Sequence, residues 1–411
     1  MNFIGTPDLQ PTVEAGKNIT RREFLPQIVA AALSTGTLLN PGALIGSPLS
    51  PTASPLNSSS KPGQRPLGKT GISVSEIGFG SHLNSENRSD PEGRVNQIRK
   101  GLELGINLFD IYNHGSDAAF ELMSMALGPF RHNVIISLVS VWAPDETMAE
   151  VDFALDTFNT DYIDLYRIYS ESGNSIDRKY EELQKAKEQG KIRAVGFVSH
   201  DHSVLVNTLR NYPELDYLML PYNFQHQRFN PRKTVVESVS WGTIKAFKES
   251  SEDPLHKVIS FDVTAPSAHL KKEEIEPVMV GGDCLFGACS DSELQPLVRE
   301  TGVGLIGIKP FAGGGLTTLN PSHPVLQELT DGGTSLPHAA LKFVLEASEF
   351  SSAIPAMNAI DQIVENCAVI DGGEFSSTDA MLLQLYADAA NESKGKYLPE
   401  KYQWLEDDWK A

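Results

Sequence analysis

Cysteine is scarce in this 411-residue chain, at three residues. Cys284, Cys289 and Cys367 have no spacing that resembles a zinc or iron–sulfur framework. Cys284 and Cys289 either close a small loop or stand as free thiols. Long apolar runs are also missing. The longest near the N-terminus, Pro26 to Leu39, is short and rich in Gly, Ser and Thr, whereas a spanning helix needs ~20 apolar residues. No stable membrane anchor is expected. Bases are few, 34 against 53 acids, for a net charge of −19. A field of that sign repels phosphate backbones, so nucleic acid is not an expected partner. With 40% hydrophobic and 21% charged residues, the chain is neither fibrous nor wholly disordered.

What is present begins with a targeting signature. Thr20-Arg21-Arg22-Glu23-Phe24-Leu25 places paired arginines just before the mild apolar run. This resembles a twin-arginine signal, an address read by export machinery. The expected division is a signal segment over 1–45, a Pro/Ser/Gly linker over 46–64, a folded body over 65–390 and a tail over 391–411. The expected location is periplasmic or extracellular, with the twin-arginine export machinery as a partner.

From residue 65 the chain alternates. A Gly-punctuated hairpin, Leu67–Ile72, precedes a strand over Glu76–Ser81. Helix and strand then follow in turn: helix 92–104, strand 107–112, helix 117–127, strand 134–141, helix 146–158, strand 163–170, helix 178–189, strand 192–199, helix 203–211 and strand 217–223. After an interruption come helix 292–301, strand 303–310, helix 338–346, strand 352–355 and helix 361–369. Eight strand–helix units predict a (β/α)8 TIM barrel with an N-terminal β-hairpin. The absence of a Gly-x-Gly-x-x-Gly after a strand disfavours an open Rossmann sheet. The interruption, 224–290, follows strand six and so emerges on the carboxyl face. Its apolar spacing (Val235, Val239, Ile244, Phe247) and strand-like Val258–Val263 predict local folding, either as a lid on the cleft or as a peripheral element.

Several motifs then carry a resemblance. Arg65-Pro66-Leu67-Gly68-Lys69-Thr70-Gly71-Ile72 with Gly78-Phe79-Gly80, Gly105-Ile106-Asn107-Leu108-Phe109-Asp110 and Asp161-Tyr162-Ile163-Asp164-Leu165-Tyr166 are three of them. Gly190-Lys191-Ile192-Arg193-Ala194-Val195-Gly196, the run Gly302–Phe311 and Ile354-Pro355 with Gln362 and Glu365-Asn366 complete the set. In order, from about 65 to 370, they resemble the aldo-keto reductases. The resemblance implies hairpin-plugged barrels, NADP(H) as cofactor, a small-molecule carbonyl or alcohol substrate (sugar, polyol or small aldehyde), and a tyrosine acid supported by lysine, aspartate and histidine. A phenol with an ordinary pKa of ~10 needs such a charge beside it to act near neutrality.

The residues depart from that set. Asp110 matches the aspartate, but the tyrosine position before Gly115 holds His114. The lysine position in strand three falls at Val139, the histidine position at Tyr169, and a cofactor-contacting glutamine at Met219. Ser199-His200 stands in place of the serine–asparagine pair. The candidate catalytic residues are therefore Asp110, His114, Tyr169 and Tyr112. His114, with an ordinary pKa of ~6.5, is expected to donate the proton while Asp110 holds it as imidazolium. Candidate cofactor contacts are Ser199, His200, Lys309, Pro310, Phe311, Asn358, Gln362, Glu365 and Asn366. In particular, Lys309 lies at a strand end suited to phosphate, and the resemblance gives Glu365-Asn366 to the adenine. Two alternatives stand beside this oxidoreductase. One is a catalytically silent barrel that binds a dinucleotide or sugar. The other is a metal-dependent hydrolase or isomerase built on His82, His114, His200, His202 and His226, although no metal ligand set is assigned.

Overall fold

A computed structural model describes residues 61–392 with internal gaps, among them 83–86, 113–118, 170–175, 225–233 and 313–315. The paired arginines, His114, His226, Cys284 and Cys289 lie outside the described residues.

Eight parallel strands form one sheet: β3 (Phe79–Gly80), β4 (Leu108–Asp110), β5 (Ile135–Ser140), β6 (Ile163–Tyr169), β7 (Ile192–Val198), β8 (Tyr217–Pro221), β13 (Gly304–Ile308) and β14 (Phe350–Ile354). Bridges Ile77↔Ala353 and Gly80↔Ala356 join the first strand to the last and close the cylinder. The expected (β/α)8 barrel is the observed fold. Mostly apolar runs such as Ile135–Ser140, with serines only at 137 and 140, suit strands covered on both faces.

Helices α1 (Pro91–Glu103), α2 (Ala119–Leu127), α3 (Thr147–Phe158), α4 (Ile176–Glu188), α5 (His202–Asn211), α6 (Leu294–Thr301), α7 (Leu336–Glu346) and α8 (Ile360–Cys367) alternate with the strands. Their boundaries follow ordinary capping chemistry. Asp90, Asp201 and Ser335 accept amide protons at the starts of α1, α5 and α7, while Gly302 ends α6 in the left-handed region. No described helix is long and apolar enough to cross a membrane.

A further helix, α9 (Ser377–Glu392), was not expected. Its signal was legible: Ser376-Ser377-Thr378-Asp379 precedes Met381-Leu382-Leu383. Ser376 and Asp379 form the reciprocal capping box, the Ser376 amide donating to Asp379 at 2.8 Å and the Asp379 amide to Ser376 Oγ at 3.1 Å.

The hairpin strands β1 (Gln64–Pro66) and β2 (Ser73–Ser75) pair antiparallel and seal the amino end. Leu67, Ile72 and Val74 join Leu108, Val139, Leu165, Tyr217, Met219 and Ile306 in the barrel's inner core. The fit is close at Gly304, where a Cβ would stand 2.6 Å from Leu67 Cδ1. The larger outer core fills the space between strands and helices, with Tyr222 stacked on Phe350 at 4.6 Å.

Within the long insertion, β9 (Thr234–Val236) pairs with β12 (Val278–Val280), and β10 (Lys245–Glu249) with β11 (Ile259–Asp262), both antiparallel. The expected strand at Val258–Val263 is thus present as β11, and Val235 and Phe247 fall on strands.

Candidate active site at the carboxyl mouth

Alternation along the strands decides which residues face the barrel axis. With Leu108 and Leu165 in the inner core, Asp110 and Arg167 two positions on share that face, followed by Tyr112 and Tyr169 at the mouth. Asp110 ends β4, and Arg167 lies on β6 opposite Val139 and Gly196.

Arg167 bridges the width of β5 to reach Asp110. Its Nη1 donates to Asp110 Oδ1 at 2.6 Å and its Nη2 to Oδ2 at 3.3 Å, a two-pronged pair with no solvent exposure of the arginine. Ser137 completes the set: its Oγ accepts from Arg167 Nη1 at 2.9 Å and donates to Asp110 Oδ1 at 2.9 Å. Burial works most strongly against the guanidinium's charge. Asp110, with the Tyr217 and Tyr112 phenols, outweighs it and leaves Arg167 above its usual range.

Arg167 is thus a partner of Asp110 that the sequence did not show, while His114, the partner expected for this carboxylate, lies outside the described residues. The family's lysine position is an apolar inner-core residue, Val139, and the cation arrives instead from the adjacent strand. Sequence reasoning missed Arg167 because one arginine inside an apolar strand has no periodic or spacing signal. The only clue was the anomaly itself, an arginine two residues before the end of the buried strand Ile163–Tyr169.

Above the ion pair stand the two mouth tyrosines. The Arg167 guanidinium carbon lies 5.5 Å from the centre of the Tyr112 ring, a cation–π distance. Tyr169 meets Tyr112 edge to face, at 6.0 Å between ring centres. The Tyr112 amide donates to Ser81 Oγ at 2.9 Å, which fixes the turn after β4. Below them, Tyr217 is fully buried, and its phenol is pushed up chiefly by desolvation. Neither the Tyr217 hydroxyl nor Arg167 Nε has a well-formed hydrogen bond among the described residues.

A second polar group lies at the ends of β7 and β13. Lys309 Nζ donates to His200 Nε2 at 2.9 Å. Burial, and then the neighbouring ammonium, depress the His200 pKa to about 3, so the ring is neutral and accepts the proton. Lys309 occupies the left-handed region (φ 56°), and its carbonyl accepts from Asn223 Nδ2 at 2.9 Å. Ser199 Oγ accepts the Asp201 amide at 3.0 Å, just ahead of α5. Pro310 is buried, and Phe311 packs on the outer core.

The expected contacts around α8 are differently placed. The Asn358 amide donates to Gln362 Oε1 at 2.8 Å, and Asn87 and Gln97 donate to Asn358. Glu365 accepts from Ser335 Oγ at 2.8 Å, and Asn366 is buried. The structure therefore gathers Asp110, Tyr112 and Tyr169 in one place and Ser199, His200 and Lys309 in another. It turns Glu365 and Asn366 toward the neighbouring helix α7 and the core.

The donor set fits a dinucleotide in part. Lys309, held at a strand's carboxyl end beside a neutral histidine, suits a phosphate. The mouth phenols over a fixed cation suit the polar end of a carbonyl. Among the described residues, no three metal-ligating side chains form a cluster.

Fold and site define a hairpin-plugged (β/α)8 protein with a charged centre beneath a phenolic mouth. Comparison with known proteins agrees: residues 76–245 match the model of the Aldo/keto reductase family. Over 338 residues the chain is 23% identical to L-galactose dehydrogenase of Arabidopsis thaliana, covering 74% of this chain and 87% of that protein. Over 136 residues it is 28% identical to methylglyoxal reductase YeaE of Escherichia coli (strain K12), covering 32% of this chain and 48% of the relative, about half its length. Among solved structures, it is similar in fold to the apo form of aldo-keto reductase AKR11C1 from Bacillus halodurans. That match has a TM-score of 0.52 at 18% identity and covers 84% of this chain and 99% of the other. By these matches the chain is similar to aldo/keto reductases in part of its sequence and shares their barrel fold.

Proposed function

We propose that this protein is an NADP(H)-dependent oxidoreductase that interconverts a small carbonyl compound and its alcohol with acid–base residues of its own. The observation that carries this reading is the Asp110–Arg167 pair under Tyr112 and Tyr169 at the carboxyl end of the barrel, where chemistry in this fold is performed. A reduced nicotinamide would supply hydride. The chain's part is to orient the carbonyl, supply a proton and stabilise the charge left behind. Asp110, His114, Tyr112 and Tyr169 form the candidate acid–base set, and Ser199, His200 and Lys309 the candidate phosphate contacts. The names of the relatives suggest small aldehydes and aldose sugars as the first substrates to try. The metal-dependent alternative loses support at His200, whose ring nitrogen accepts from an ammonium.

The test combines a fluorescence titration with NADPH and NADH and turnover with methylglyoxal and L-galactose. Saturable NADPH binding with turnover supports the proposal. Binding without turnover on a broad carbonyl panel favours the silent barrel, and no nucleotide binding overturns the oxidoreductase reading and the dinucleotide form of the silent barrel. We also propose export through the twin-arginine route. Fusing residues 1–64 to a reporter should export it, and the double substitution Arg21→Lys with Arg22→Lys should retain it inside the cell.

A further inference from the structure

We propose that Arg167 is a positioning residue that makes Tyr112 the proton donor, replacing by an arginine on β6 the cation that the resemblance expected on β5. This inference rests on the oxidoreductase reading and adds to it a named acid and the charge that supports it.

Three observations meet here. First, the Arg167 guanidinium is inaccessible to solvent and so cannot itself touch a substrate, yet it lies 5.5 Å from the Tyr112 ring centre. Tyr112 is partly exposed at the mouth, one layer above it. Second, the guanidinium is fixed from the other side by both Asp110 oxygens and by Ser137, so its position does not depend on a ligand. Third, the residue type suits the depth. A guanidinium stays protonated when buried beside a carboxylate. The guanidinium carbon stands over the Tyr112 ring, while Tyr169 meets Tyr112 edge to face.

The step balances as follows. A reduced nicotinamide dinucleotide, when bound, would supply the hydride to the carbonyl carbon, and the carbonyl π pair would move to oxygen. That oxygen takes the phenolic proton of Tyr112, breaking its O–H bond and forming the alcohol. The phenolate left behind is held next to the Arg167 charge until solvent returns a proton. In the reverse direction the phenolate accepts the alcohol proton.

The test uses the full chain and four variants: Tyr112→Phe, Arg167→Lys, Arg167→Met, and Arg167→Met with Asp110→Asn. The last removes both buried charges and keeps the experiment decisive if Arg167→Met alone does not fold. Alkaline titration of tyrosinate absorbance on the protein alone is the first readout. Tyr112→Phe should delete one ionisation, which should move to higher pH in the double variant and recover most of its position in Arg167→Lys. The second readout is turnover of methylglyoxal with NADPH. Tyr112→Phe should lower kcat on the order of a hundredfold or more while NADPH affinity stays within about twofold. The alkaline limb of the pH profile should move with the same ionisation in the double variant. An unchanged tyrosinate titration in both Arg167→Met and the double variant, or full turnover in Tyr112→Phe, overturns the proposal. Turnover absent from the wild type across a broad carbonyl panel, with the titration shift present, overturns the oxidoreductase reading and leaves the Tyr112–Arg167 coupling in place.

Discussion

Arg167 and Asp110 are 57 positions apart and meet across an intervening strand, with both terminal guanidinium nitrogens on the two carboxylate oxygens. Breaking a buried pair leaves an uncompensated charge. Asp110→Ala or Arg167→Met should therefore cost about 3–5 kcal/mol of stability. The double change to Asn and Met should cost clearly less than the sum. Denaturant unfolding of the two single variants and the double gives the coupling directly, and additive losses would contradict the pairing.

Gly196 on β7 faces Tyr217 on β8, and a Cβ at Gly196 would lie well inside contact distance of the Tyr217 ring. Gly196→Ala should destabilise by about 1–3 kcal/mol through overpacking. Tyr217→Phe should not relieve it, because the ring remains. Tyr217→Ala should, and thermal unfolding of both double variants makes the comparison.

His200 is neutral in the fold, with its pKa depressed to about 3 by burial and by Lys309, below an unfolded value of ~6.5. Between these limits the unfolded chain binds the extra proton, so stability rises with pH across that window and is lost on acidification. Replacing His200 by Gln should flatten the acid limb, with a relative gain of about 1 kcal/mol near pH 4.5 after discounting for partial exposure. Urea unfolding from pH 4 to 7 measures it. An unchanged slope would mean that this histidine does not contribute.

The α9 capping box predicts that Ser376→Ala weakens the C-terminal helix by about 1 kcal/mol. Hydrogen exchange should show faster opening of residues 377–392 with little change in the barrel strands. Loss of protection throughout would instead mean that this helix is needed for the whole fold.

Much of the architecture could be read directly from the chain. The strands from Ile135–Ser140 through Phe350–Ile354 are short apolar runs, and α1, α5 and α7 begin at Asp90, Asp201 and Ser335. Helix α9 was overlooked although its Ser376–Asp379 box was visible. The candidate site was legible only in part. Asp110 and Tyr169 followed from the resemblance to the aldo-keto reductases, Tyr112 from its place two residues beyond Asp110, and Lys309 from its strand end. Arg167 did not, because nothing local distinguishes a guanidinium with a partner from a misplaced surface charge.

Sequence by itself thus determined the eight-fold alternation, and with it the cylinder, since each strand–helix unit buries its own apolar faces by local periodicity. It also determined which side chains stand at strand ends. The tertiary structure alone decided who their partners are: that Asp110 holds Arg167, that His200 accepts from Lys309, and that Glu365 and Asn366 turn to a helix and the core. Those pairings depend on closing the sheet, which brings residues from separate strands to hydrogen-bonding distance where water no longer competes.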